Sequence, residues 1–155
     1  MIVSIEVEDE SWSALAKLEE LAGQAVTAAL AEAAPDAKHC EVALLFTDDA
    51  AIAGINNEWR GKNTPTNVLS FPAPDGMPVP DGEPRPLGDI ALAFGVIARE
   101  AAEQGKTLRD HTVHLIVHGT LHLIGYDHET EGEAEEMEQL ETGILKGLGI
   151  SNPYE

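Results

Sequence analysis

At 155 residues the chain is about one domain long, and a domain of that size takes ~68–70% of its unfolded surface out of water, enough for one compact core. Nine Lys and Arg against 28 Asp and Glu give a formal net charge of −19, which repels nucleic acid and anionic membrane at long range, so a phosphate-bearing substrate has to be handled locally. Cys40 is the only cysteine and excludes an internal disulfide; no apolar run approaches the ~20 residues of a membrane span, and the N-terminus lacks the basic start and apolar block of a signal peptide, so a soluble cytoplasmic protein is expected.

Residues 2 to 8 alternate apolar and polar and predict a first strand, ended by Glu8-Asp9-Glu10. Ser11 or Ser13 is placed to cap a helix reaching Ala33, with Leu15, Leu18, Leu21, Ala22, Val26 and Leu30 as its apolar stripe. Pro35-Asp36 stops it. His39 to Phe46 predicts a second strand, and Thr47-Asp48-Asp49 opens a short helix through Trp59. Arg60 follows, in a polar loop with donors from Lys62, Asn63, Thr64 and Thr66, an arrangement suited to clamping a phosphate. Asn67 to Phe71 predicts a third strand ended by Pro72, and the proline-rich stretch to Pro86 reads as an exposed flap. Leu87 to Phe94, apolar after Asp89, predicts a central fourth strand, followed by a helix from Val96 to Gln104.

Thr107 then caps a helix whose Val113, Leu115, Ile116, Leu121 and Leu123 mark it as a core element. It runs into His118-Gly-Thr-Leu-His-Leu-Ile-Gly-Tyr-Asp-His128. Residues four apart on a helix share a face, so His118 and His122 can aim two imidazoles at one point. Gly125 can take the left-handed conformation that ends a helix, which returns the chain and brings His128 to the same point. Three neutral imidazoles with an open fourth corner suit one catalytic zinc ion per chain. The spacing equals that of the zinc peptidase pattern His-Glu-x-x-His-x-x-Gly-x-x-His, except that Gly119 stands in place of the glutamate that acts there as general base. The site therefore reads as hydrolytic in its metal geometry and not proteolytic. His114 lies eight residues from His122, about 12 Å along the axis, too far to share the ion, so it and His111 read as supporting or core residues. A last helix, Glu129 to Gly147, carries seven glutamates between Glu129 and Glu141 that read as a solvated acidic face, docked through Met137, Leu140, Ile144 and Leu145.

These residues resemble the bacterial YbeY family of metal-dependent single-strand endoribonucleases. Residues 118 to 128 match its pattern His-Gly-x-Leu-His-Leu-x-Gly-Tyr-Asp-His throughout. Asn56 to Pro72 match Asn-x-x-Tyr/Trp-Arg-Gly-x-x-x-x-Thr-Asp-Val-Leu-Ser-Phe-Pro with one departure, and Leu87 to Ile90 match Leu-Gly-Asp-Ile. The resemblance implies zinc on His118, His122 and His128 and an essential Arg60. It implies an α/β (α+β) fold, one domain over 1–155, with a small mixed four-stranded sheet flanked by helices. It also implies rRNA processing, in particular late 3′-end maturation of small-subunit rRNA, and ribosome quality control, with single-stranded RNA and ribosomal proteins as partners. The departure is Asn67 where the family has aspartate; losing the charge there makes residue 67 a loop-shaping residue rather than the general base. A different reading makes the chain a non-catalytic ribosome-assembly factor with a structural zinc, which needs a fourth protein ligand from Asp127 or Cys40.

Overall fold

The second strand decides the architecture, because its side chains alternate between two hydrophobic clusters. Val42, Leu44 and Phe46 enter the larger cluster and Leu45 the smaller one. The computed structural model describes residues 2–74, 76 and 78–154. Its strands are β1 (Ile2–Val7), β2 (Cys40–Thr47), β3 (Val68–Pro72) and β4 (Arg85–Ala93). They form one sheet in the order β1-β2-β4-β3, with β1, β2 and β4 parallel and β3 antiparallel at the edge. The helices are α1 (Leu18–Ala33), α2 (Asp49–Arg60), α3 (Phe94–Gln104), α4 (Leu108–Leu123) and α5 (Glu131–Gly147). The mixed four-stranded sheet flanked by helices is therefore the one expected. Among the described residues no helix is long and apolar enough to cross a membrane.

The larger cluster joins β2 and β4 to α1, α4 and α5; the smaller one lies on the opposite face, where α2 brings Ile52 and Ile55 against Leu69, Phe71 and Ala91. Helix α4 is the spine. It packs on α1, α3, α5, β3 and β4, and eleven of its residues are buried. A helix surrounded in this way holds its side chains in fixed rotamers, which is what a ligand-bearing element needs.

Three boundaries differ from expectation, each for a tertiary reason. The helix expected from Ser11 is broken into a 3-10 turn, Glu10–Ala14, and α1, which starts at Leu18 after Lys17 in a left-handed conformation (φ 55°). Asp9, not a serine, caps the turn by accepting from the Ser11 N–H at 2.9 Å. The break lets Trp12 turn inward: it is 1% exposed, donates from Nε1 to the Thr47 carbonyl at 3.0 Å and meets Phe46 and Phe94 edge to face. The second difference lies at the start of α3, which begins at Phe94 rather than Val96. Its first turn is capped from outside, with Asp49 of α2 accepting from the Val96 N–H at 3.0 Å and pairing with Arg99 at 2.8 Å. Third, the final helix begins at Glu131, capped by Thr130, and not at Glu129.

Pairing also runs further into the proline-rich segment than expected, since β3 includes Pro72 and β4 starts at Arg85. Pro72 is tolerated because β3 is an edge strand. Opposite it sits Gly88, where β4 bulges against β2 between Glu41 and Val42. Gly88 has φ 142°, and a Cβ there would stand 2.3 Å from the Phe71 carbonyl oxygen and 2.8 Å from a Leu123 methyl. Replacing Gly88 with Ala is expected to lower unfolding free energy by at least ~1–3 kcal/mol, read as a shifted midpoint in urea denaturation.

Candidate metal centre

Thr107 starts α4 by accepting from the Asp110 N–H at 3.1 Å, and the helix delivers His118 and His122 at its C-terminal end. There the backbone turns. The Gly125 N–H reaches the His122 carbonyl and the Tyr126 N–H the Leu121 carbonyl, both at 3.1 Å, with Gly125 at φ 102°. Asp127 then accepts from the His128 N–H at 2.7 Å and fixes the returning loop. The outcome is convergence: ring centroids are 4.6 Å apart for His118 and His122, 5.1 Å for His122 and His128, and 5.7 Å for His118 and His128. One ring nitrogen from each lies within 4.8 Å of the others, and the two Nε2 atoms of His118 and His122 are 3.0 Å apart.

This donor set fits a divalent metal. Nitrogens bound tetrahedrally to zinc at 2.0–2.1 Å stand roughly 3.3 Å apart, close to the spacing of the two helical nitrogens. Burial lowers the pKa of His122, and the neighbouring His118 and His128 lower it further, so its ring is held neutral with a lone pair to offer. His118 and His122 are half-buried and His128 is exposed, so the group faces solvent on one side. Among the described residues the group contains neither Asp127 nor Cys40; Cys40 is buried on β2, its thiol directed to the Lys38 carbonyl.

The glutamate-rich face hides an exception. Six of the seven glutamates are exposed, as expected, but Glu141 is 0% exposed and lies beneath the histidines. One of its oxygens accepts from His118 Nδ1, which leaves His118 Nε2 facing the cluster; the other meets His114 Nε2 at 3.3 Å and accepts from the Tyr154 hydroxyl. Burial pushes this carboxyl up, but the hydrogen bonds from His114, His118 and Tyr154 outweigh it, and the pKa is held down at about 2. The Tyr154 hydroxyl is pushed up by its own burial and by Glu141. A carboxylate behind a histidine fixes both the ring's tautomer and its aim. Glu141 carries a readable signal: it falls four residues after Met137 and three before Ile144, inside the apolar stripe of α5. His114 thus supports Glu141, and His111 pairs with Glu100 at 2.9 Å; both are buried and stand outside the converging group.

The histidines open on a cleft of about 520 Å³ whose lining includes Arg60, Asn67 and Ser70. Arg60 is the last residue of α2, followed by Gly61 in a left-handed cap, so the helix end brings Arg60 to the cleft wall. Lys62, Asn63, Thr64 and Thr66, expected to act beside it, do not line the cleft. The loop is tied back to α2 instead, with Asn56 of that helix donating to the Thr64 carbonyl at 2.9 Å. Asn67 accepts from the Val68 N–H at 2.6 Å and donates to Glu100 at 3.0 Å. An aspartate could not make that second bond. Gly119 faces the sheet: a Cβ there would lie 3.0 Å from Ser70 Oγ and 3.1 Å from Ile90, so a glutamate in its place would have to push these neighbours back.

The family model described as Endoribonuclease YbeY matches residues 4–149. The chain belongs to the YbeY family. Among YbeY relatives, a protein of Dinoroseobacter shibae named Endoribonuclease YbeY is 54% identical over 99% of this chain and 90% of its own length. One of Allorhizobium ampelinum with the same name is 53% identical over 98% of this chain and 93% of its own. In fold, the chain is similar to a Thermotoga maritima protein solved in solution, with a TM-score of 0.56 and 22% identity over 95% of this chain and 91% of that one. Neither the donor to Glu100 at position 67 nor the buried carboxylate under the histidines follows from the YbeY patterns at 118–128 and 56–72. Replacing Glu141 with Gln is expected to weaken the affinity of the histidine group for a divalent metal roughly 10–100-fold, measured by competition with a chromophoric chelator.

Proposed function

We propose that residues 1–155 form one metal-dependent hydrolase domain, an endoribonuclease that cuts single-stranded RNA with one zinc ion on His118, His122 and His128. The carrying observation is the convergence of three ring nitrogens within 4.8 Å at a cleft that Arg60 also lines. Membership of the YbeY family and the name Endoribonuclease YbeY on close relatives support RNA as the substrate. All-nitrogen donors favour zinc over magnesium or calcium, which take oxygen ligands. When bound, the ion supplies Lewis-acid polarisation of a phosphoryl oxygen and activation of a water molecule.

The chain's own groups divide the remaining work. Glu141 holds the His118 ring by its Nδ1–H, so that Nε2 keeps its lone pair towards the cleft. Arg60 offers a planar fork of donors to non-bridging phosphate oxygens and stabilises the charge that grows on them as the bond breaks. Gly119 has no side chain to accept or return a proton, which separates this site from the zinc peptidases. The amide of Asn67 cannot serve as general base and shapes the cleft wall through Val68 and Glu100. The natural substrate in this reading is ribosomal: late 3′-end maturation of small-subunit rRNA and ribosome quality control, in the cytoplasm. A net charge of −19 gives the chain no loose affinity for RNA, so contacts with ribosomal proteins supply much of the docking.

Two sets of variants test the assignment. Ala at His118 or His122 is expected to remove both bound zinc, read by elemental analysis, and cleavage of a labelled single-stranded RNA. Ala at Arg60 is expected to keep the zinc and lower kcat by roughly 10²–10³-fold. Full cleavage by chelator-treated protein, or by the histidine variants, overturns the reading.

A further inference from the structure

We propose that the groove on the α2 side of the sheet, next to the metal cleft, is a stacking subsite for a nucleobase, with Trp59 as its platform. The proposal rests on the endoribonuclease reading and adds where a base of the RNA goes. Trp59 is 69% exposed, more than any other large apolar side chain among the described residues. A lone exposed indole is ordinary on a protein surface, so its position matters more than its exposure. Trp59 immediately precedes Arg60 on the last turn of α2, and the two line adjoining hollows, Trp59 the groove and Arg60 the metal cleft. Its ring lies 5.8 Å from that of Phe71 with the planes at 51°, a tilted aromatic contact that steadies the indole on one side while its 69% exposure leaves the other face open.

The groove, about 750 Å³, shares Ser70, Phe71 and Pro72 with the metal cleft; edge strand β3 forms a wall common to both. It exists because α2 ends at Arg60 and leaves part of that sheet face bare. Its charge selects which part of a nucleotide can enter. Glu41 and Asp89 line it, so a phosphate is repelled, whereas the exocyclic amino group of a base can donate to a carboxylate. Phosphate on Arg60 and base against Trp59 is the placement that satisfies both surfaces. A base held there must have left its neighbours, a condition that single strands meet and duplexes resist.

The test uses the full, zinc-loaded chain and a short 2′-O-methyl oligoribonucleotide, with Trp59 fluorescence as the local signal. The other tryptophan, Trp12, is buried and serves as a fixed background. The single strand is expected to quench emission and the same sequence in a duplex to leave it unchanged. Ala at Trp59 is expected to weaken single-strand binding roughly 5–150-fold, equivalent to ~1–3 kcal/mol for one stacked base. Phe at Trp59 should restore most of that affinity without the emission response, and both variants should keep one zinc per chain. If wild type cleaves RNA but Ala at Trp59 binds as tightly and emission does not move, the subsite is refuted and the groove is left to a protein partner. If zinc-loaded wild type neither binds nor cuts RNA, the endoribonuclease reading fails, and the subsite with it.

Discussion

A fully buried carboxylate can stay ionised only if donors surround it, and the hydrogen bonds around Glu141 meet that condition. His118, His114 and Tyr154 reach it from the far end of α4, its middle and the C-terminal segment. The same bonds that stabilise the charge orient the His118 ring. Stability of the helix packing and aim of the imidazole are thus one network, because a rotation that mis-aims the ring also strips a buried charge of one of its three partners.

The network works because α4 has little freedom to move. It is enclosed by helices on one side and by β3 and β4 on the other, and Gly119 brings its backbone against the sheet, where Ser70 donates to the Gly119 carbonyl at 3.1 Å. Close approach gives rigidity, and it crowds any side chain at the position where zinc peptidases keep their base. One residue type accounts for both tight packing and the loss of proteolytic equipment.

Charge on the surface follows the same economy. Arg60 is the one Lys or Arg of the nine that lines the cleft, and a metal held by the histidines would add positive charge there, while most of the 28 acidic residues discourage unspecific contact elsewhere. Asn67 fits this pattern: it removes a carboxylate from the cleft wall and turns the position into a donor for Glu100, avoiding repulsion between two neighbouring acids.

The three histidines were legible in the chain because helix periodicity and a glycine-ended helix are local rules; His118, His122 and Gly125 obey them without reference to distant residues. The four strands and the core status of α4 were legible for the same reason. Tertiary structure alone decided the rest. Trp12 broke the first helix to reach Thr47, Asp49 capped α3 from another element, and the loop donors after Arg60 fell outside the cleft lining. Glu141 looked like one more solvated glutamate because ionisation inside a core depends on partners 23 and 27 residues away, and hydrogen bonds across such separations exist only once the helices have packed.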